Sequence, residues 1–529
     1  MAHDAYILAG LLVVLTVLVG RLVSGRLRVP DAIVLVALGF AISFLPGMRQ
    51  IHISPEVVLL VFLPPLIYNA AFFSAPREMR TEARPIIALA VGMTLVSAFA
   101  IAGVTWLMLP ETAWPAAIAL GAAVAPTDAV ASSAVLKRVG APRRVLTVLE
   151  GESLINDGVA LTLFSLAVTA MVTPLTPAAG VLELVKVVAG GLAYGAVIAV
   201  LVTWSRRRLR DGNTQLVITL VTPFIAYIPA ELMGFSGVLS AVVAGFYLGT
   251  RGEGILPPRV RVTGTIVWQG LVMLLESVLF VLLGLQLHEV LSGVRGLAPA
   301  QLVLSAIAVI AVSVLVRLVW QVWVAPVTRY LPGRLRMDPG PVRERIIIGW
   351  SGMRGAISLA IALSLPLTIG SAEFTDRNVL IFLAAAVVLA TLVGQGTTLP
   401  LLLRRLGVPQ EHGLRSEIAA AEVAMGRAAL TRIDELLSDA MVDEQAAETY
   451  RQMHKLRVKQ SRALLEAGPE QRPEAKRRVR GAAFLRHEIS RAEREALNRL
   501  YRGGDIGHEA FQTLQRELDV REPHRPHSA

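Results

Sequence analysis

The chain of 529 residues is 54% hydrophobic and only 17% charged, with a mean hydropathy of +0.59; this balance excludes an ordinary soluble enzyme and points to many membrane spans. A formal net charge of +11 invites a nucleic-acid reading, but the segment after Val408 is nearly balanced in acid and base, so the excess lies among the apolar stretches, where it sets topology. There is no cysteine, which removes disulfides, thiolate metal sites and cysteine nucleophiles together.

Taking stretches of roughly 20 apolar residues as spans, the sequence predicts thirteen, near 5–24, 30–47, 55–74, 85–109, 113–137, 143–172, 180–206, 214–231, 235–250, 262–288, 300–328, 345–367 and 377–403. No basic segment precedes the first stretch, and Arg21, Arg26 and Arg28 follow it, so it reads as a retained span with its N-terminus outside rather than a cleaved signal. The eighth and ninth are separated only by the short run Ile228 to Gly234. Alternate loops are rich in Arg and Lys (21–28, 77–84, 137–144, 206–210, 251–261, 329–345, 404–405), while the intervening ones hold little beyond Arg49, Arg295 and Arg377. That alternation places the basic loops and the C-terminal tail in the cytoplasm.

With the seventh span as a linker, spans one to six and eight to thirteen enter from opposite sides, as in inverted-repeat transporters. The fifth span then corresponds to the twelfth, and both are interrupted: the fifth at Ala125-Pro126-Thr127-Asp128, the twelfth at Trp350-Ser351-Gly352-Met353-Arg354-Gly355. Paired interruptions of this kind point to a binding site near the bilayer midplane. The predicted fold is therefore all-α and polytopic, two inverted six-helix repeats followed by a helical cytosolic tail. In the tail, charges alternate with Ala and Leu over 411–437, 448–466 and 474–501, with breaks at Gly468-Pro469 and Gly503-Gly504. It reads as a solvated appendage whose partner the sequence does not name.

A carboxylate at the centre of a membrane helix costs about 2.5 to 3.5 kcal/mol on the lenient insertion scale, so each one needs a reason. Asp157 lies in mid-span beside Asn156; a carboxylate and a carboxamide oxygen are hard ligands suited to alkali cations. A carboxylate that takes either a cation or a proton, but not both, exchanges one for the other by competition. The bland alternative is a structural carboxylate paired with a base. Asp128 follows Pro126 and Thr127 at a helix start and reads either as a cap or, with the Thr127 hydroxyl, as further cation coordination. Glu152 and Arg354 are expected to pair as a structural ion pair, with Arg317 a competitor for Glu152 and Glu276 for Arg354. No Gly-x-Ser-x-Gly elbow, Walker loop or His-Glu-x-x-His motif is present, so neither ATP-driven transport nor that hydrolytic chemistry is expected.

Over about residues 30 to 403 the chain resembles the monovalent cation:proton antiporters of the sodium/proton exchanger type, in the bacterial branch. The resemblance is carried by Phe62-Leu63-Pro64-Pro65, Pro126-Thr127-Asp128, Gly151-Glu152-Ser153-Leu154-Ile155-Asn156-Asp157, Ser236-Gly237-Val238-Leu239 with Ala244-Gly245, and Gly352-Met353-Arg354-Gly355-Ala356. It implies the sodium/proton antiporter fold with crossed broken helices, in a homodimer. Residues 1–74 and 214–288 would form a scaffold and 85–172 with 300–403 a moving core; 180–206 would be the linker and 408–529 the tail. It further implies Na+ and H+ exchanged at Asp157, with Asp128, Thr127, Ser153 and Asn156 around it, Glu152 paired to Arg354, and no cofactor. Asn156 stands where electrogenic relatives carry a second Asp, so electroneutral exchange is implied. One departure is Asn69, where the family commonly has an acidic residue.

The expected activity is thus exchange of Na+ or Li+ for H+ across the plasma membrane, by a transporter serving pH homeostasis. A potassium/proton antiporter would use the same residues. An intramembrane aspartyl protease would also need two Asp on neighbouring spans, but the Gly-x-Gly-Asp arrangement of that class is absent.

Overall fold

The computed structural model describes residues 2–27, 30–45, 55–74, 76–173, 177–209, 211–251, 256–293, 297–330, 332, 338–370, 372–407, 413–439, 441–466, 472–503 and 505–521. Arg28, Arg49, Arg295, Val408, the Gly468-Pro469 break and Gly504 lie outside them. The chain divides into two compact units, Met1–Pro409 and Gln410–Ala529.

The first unit is helical almost throughout. It opens with α1 (Ala2–Leu27), α2 (Asp31–Ile42), α3 (55–72) and the short α4 (Pro76–Thr81), followed by α5 (Ala83–Met108), α6 (Trp114–Val124), α7 (Ala129–Val139) and α8 (Arg143–Val172). Next come α9 (Pro177–Arg208), α10 (Gly212–Leu232), α11 (Gly237–Arg251), α12 (Pro258–Gly293) and α13 (Pro299–Tyr330). The unit closes with α14 (Val342–Trp350), α15 (Ala356–Leu363) and α16 (Arg377–Leu406). Among the described residues, seven helices are long and apolar enough to cross a membrane, and shorter apolar helices cover Asp31–Ile42, Val58–Phe72, Trp114–Val124 and Gly237–Arg251.

Among the described residues, three helices widen locally into π-turns, and proline accounts for two of them. The turns Val58–Phe62 and Trp320–Val324 lie just before Pro64-Pro65 and Pro326, whose missing N–H groups release carbonyls from the regular ladder. The third, Ala88–Met93, follows Pro85.

The short separator predicted between the eighth and ninth stretches is real but lies further on. α10 continues through Pro229 to Leu232, and the chain turns at Gly234, whose φ of 72° suits glycine. Phe235 N–H then donates to Ala230 O at 2.9 Å, closing the helix, and Glu231 accepts from Gly237 N–H at 2.9 Å, capping α11. One departure from an all-α chain is a two-residue antiparallel ladder, β1 (Thr368–Ile369) with β2 (Ala372–Glu373), Thr368 opposite Glu373. Gly370 supplies its left-handed turn residue at φ 62°.

Small side chains let the backbones approach, as expected of helices without large rings between them. On α6, alanines 116, 117, 119, 122 and 123 are all fully buried, and a Cβ added at Gly121 would strike the Ala98 carbonyl of α5. Gly121→Val should therefore wedge α5 from α6 and destabilise the protein by about 1–3 kcal/mol or more, read as a lower melting temperature and reduced monodisperse yield. An unchanged melting temperature would mean that the two helices are not in backbone contact.

The second unit comprises α17 (Gly413–Ser438), α18 (Glu444–Glu466), α19 (Arg472–Gly503) and α20 (His508–Arg521). Arg451 meets Asp434 at 2.6 Å and Ser461 donates to Glu422 at 2.7 Å, stapling α17 to α18. The Ser461 hydroxyl, with help from Arg457, holds the Glu422 carboxyl below its usual range against the cost of burial.

Candidate ion-binding site at the crossing of two broken helices

The two interruptions meet. Between α6 and α7 the backbone is non-helical over 125–128, where Pro126 has no N–H to offer; between α14 and α15 it is non-helical over 351–355, around Gly352 and Gly355. Asp128 N–H donates to Met353 O at 2.7 Å, tying one break to the other. A Cβ at Gly355 would lie 2.6 Å from Asp128 Cγ, and one at Gly352 would lie 2.7 Å from Arg317 Nε. Each glycine is thus required by the charged side chain packed over it.

Broken helices leave four half-helix ends inside the protein, with their unpaired N–H and C=O groups and partial charges. Arg354, fully buried, serves the carbonyl ends: its guanidinium donates to Val124 O at the end of α6 at 3.0 Å, to Gly352 O just beyond α14, and to Ser313 O at 3.1 Å. Its own N–H donates to Thr391 Oγ1 at 3.2 Å. Asp128 lies at the amide ends: it immediately precedes α7 and packs over Gly355 at the start of α15. Ala129 N–H, also at that end, donates to Ser153 Oγ at 3.4 Å.

α8 supplies the remaining groups as two rows at helical spacing, Glu152 with Asn156 and Ser153 with Asp157. Glu152 is fully buried and bound by the fork of Arg317, whose Nη1 meets Oε1 and whose Nη2 donates to Oε2 at 2.7 Å. Arg317 Nε also donates to Ile348 O at 3.1 Å, so α13, α8 and α14 share one guanidinium. This corrects the expected Glu152–Arg354 pair. Arg354 is occupied by carbonyl oxygens at the breaks, whereas Arg317 presents the planar two-donor edge that matches a carboxylate.

Thr127 joins the pair to the candidate ligands on α8 by donating to Glu152 Oε1 at 3.0 Å and accepting from Asn156 Nδ2 at 3.2 Å. With its amide nitrogen so used, Asn156 points a buried carboxamide oxygen that meets no donor. Asp157, in the neighbouring row, is also buried, with Asp128 and Glu152 as its charged neighbours. Thr127, Asp128, Glu152, Ser153, Asn156, Asp157, Arg317 and Arg354 are therefore gathered in one place. Glu276 reaches this cluster only through Asp128: it sits half-buried on α12, with Asp128 and Arg21 as its charged neighbours, and does not pair with Arg354. Asn69 is half-buried on α3. Ser313, Thr391 and the Val124 carbonyl were not anticipated, since a Ser or Thr in an apolar run gives no sign of which arginine it will meet.

Interrupted apolar helices crossing at a buried carboxylate, within a chain of many apolar helices, define a multi-pass membrane protein of the carrier type. A family profile described as "Sodium/hydrogen exchanger, transmembrane" matches residues 13–405. The chain belongs to the sodium/hydrogen exchanger family, a family of transporters rather than enzymes. It is 35% identical over 426 residues to an uncharacterized Na(+)/H(+) exchanger of Mycobacterium tuberculosis, covering 79% of this chain and 78% of that one. It is 31% identical to the low-affinity Na(+)/H(+) antiporter NhaS1 of Synechocystis (77% and 76% covered). To the sodium, potassium, lithium and rubidium/H(+) antiporter of Bacillus pumilus it is 30% identical (78% and 63% covered). Among solved structures, the sodium proton antiporter MjNhaP1 from Methanocaldococcus jannaschii shares the fold with a TM-score of 0.61 at 18% identity, over 76% of this chain and 99% of that one.

Proposed function

We propose that this protein is a secondary antiporter of the plasma membrane that exchanges Na+ or Li+ for H+ without net charge movement, with Asp157 as the exchanged site. The observation that carries the reading is the orphan Asn156 carboxamide oxygen, buried next to the Asp157 carboxylate. Together they offer a desolvated cation two hard oxygens, with Ser153, Thr127 and Asp128 as the further oxygens that would complete its shell. A proton bound to Asp157 removes the charge that holds the cation, so the two compete. Asn156 has no proton to give, and one carboxylate then exchanges one cation for one proton.

The apolar stretches make thirteen spans, with the N-terminus outside and the tail in the cytoplasm. Residues 85–172 and 300–403 form a core that rocks against a dimeric scaffold of 1–74 and 214–288, with 180–206 linking the two halves. An empty Asp157 carboxylate is penalised in the barrier region, so the core crosses loaded with one ion or the other. Potassium is the second reading: the Bacillus relative named above is described as accepting potassium and rubidium as well as sodium and lithium.

Reconstitution in liposomes tests both readings. Luminal pH is followed while Na+, Li+ or K+ is added outside, with the membrane potential clamped or free. Cation-driven alkalinisation that ignores the potential is expected, with Na+ and Li+ effective at lower concentration than K+. Equal or greater potency of K+ would replace the first reading with the second, and a potential-dependent rate would overturn electroneutrality.

A further inference from the structure

A second buried charge lies well away from the crossing. Arg206, in the last turn of α9, is as enclosed as Arg317 and Arg354 but is not compensated as they are. Its Nη2 donates to Thr219 Oγ1 at 2.9 Å, its Nε–H has no acceptor, and it makes no ion pair with any described carboxylate. The nearest acid in sequence, Asp211, instead caps α10, accepting from Thr214 N–H at 2.7 Å. Arginine cannot escape burial by losing its proton, and an uncompensated buried cation is strongly unfavourable.

Further buried polar groups without partners lie on the helices that meet Arg206. The Tyr68 hydroxyl of α3 lies against Arg206 without forming a well-aligned hydrogen bond. The Tyr68 ring packs on that of Trp268 from α12, centroids 5.6 Å apart, and the Trp268 indole N–H also has no acceptor. Thr203, one turn before Arg206, has an orphan buried hydroxyl as well. Gln215 adds no anion: its amide donates to Arg206 O at 2.8 Å and to Leu209 O at 3.0 Å, which fixes its orientation and leaves its buried Oε1 a neutral acceptor without a donor. Tyr68, Thr203, Arg206, Gln215, Thr219 and Trp268 are each less than a tenth exposed. Buried polar groups in folded proteins almost always have partners, so a cluster of orphans marks a bound species.

We infer that Arg206, with the Tyr68 and Thr203 hydroxyls and the Trp268 indole N–H, forms an internal site for a small monovalent anion of the halide class, chloride in a cell. The charge selects an anion over water: water would satisfy the hydrogen bonds but leave the guanidinium uncompensated. The near-complete burial of these six side chains favours a monatomic ion over a phosphate. The site draws on α3, α9, α10 and α12, so occupancy ties α9 to its neighbours. It is independent of the cation exchange proposed at Asp157.

The test uses the purified full-length protein at fixed Na+ and ionic strength, with gluconate replaced stepwise by chloride. Melting temperature and binding of radioactive chloride are both followed. Saturable stabilisation is expected, reproduced by bromide and not by sulfate or inorganic phosphate. Tyr68→Phe keeps its ring and loses one donor, Trp268→Phe keeps an aromatic side chain without the N–H, and each should raise the half-saturating chloride concentration about tenfold. Arg206→Gln should abolish the effect, and if that variant does not fold, the two aromatic variants decide. A melting temperature indifferent to chloride would show the orphans to be hydrated and overturn the site. So would chloride binding unchanged in the Tyr68→Phe/Trp268→Phe double variant, and equal stabilisation by phosphate would overturn the halide class.

Discussion

Proteoliposomes carrying Asp157→Asn are expected to show no cation-driven proton movement above that of protein-free vesicles, while the variant purifies and melts like the parent or slightly above it. The substitution keeps the shape of the side chain and removes the only property exchange requires, a group that is negative when empty and neutral when protonated. Stability should not fall, because Asp157 is buried with Asp128 and Glu152 as charged neighbours and makes no ion pair among the described residues. Neutralising one of three close carboxylates relieves repulsion rather than stranding a partner. Asp157→Glu, which retains the titratable group but moves it, should keep exchange at a reduced rate. Transport by Asp157→Asn at the parental rate would remove this residue from the mechanism. A collapse of folding would mean that the carboxylate is structural.

The second large effect concerns the buried pair. Arg317→Ala leaves Glu152 enclosed without its fork, and removing one partner of such a pair costs about 3–5 kcal/mol. The expected result is a large fall in melting temperature, partly rescued when Glu152→Gln is added, since a neutral amide needs no counter-charge. Arg354→Ala should also be destabilising, but by a different route: it strands the Val124, Gly352 and Ser313 carbonyls, and Glu152→Gln should not rescue it. A double-mutant cycle separates the two arginines. Strong coupling of Glu152 to Arg354 with none to Arg317 would restore the pairing expected from the sequence and contradict the geometry.

That pair also marks where sequence reading stops. Both interruptions were legible, because Pro126 cannot donate to a helix and Gly352 with Gly355 weakens one, and because a charge in an apolar run is improbable without a task. Asp157 and Asn156 were legible for the same reason. Which arginine meets Glu152 was not, since Arg317 sits in an unbroken apolar run and its reach depends on how α13 lies against α8. The competition between the two bases was visible, but its outcome rests on the three carbonyls that occupy Arg354. The turn between α10 and α11 was located only to within a few residues, because Pro229 looks like a helix breaker and yet stands inside α10. The two-residue ladder near Gly370 is too short to leave a periodic signal.

The small residues around the crossing bear on how such a body could move. Alanine and glycine have no rotamers to freeze or exchange, so the interior lined by Ala116 to Ala125, Ala356, Ala360 and Ala384 has one packing and few alternatives. Any displacement of that body would leave its inside unchanged and rearrange its margin, for example where Leu239 of α11 presses on Gly158 of α8. Defects inside and at the margin should then differ in kind. Interior substitutions would govern how much protein is made, and marginal ones how fast each molecule turns over.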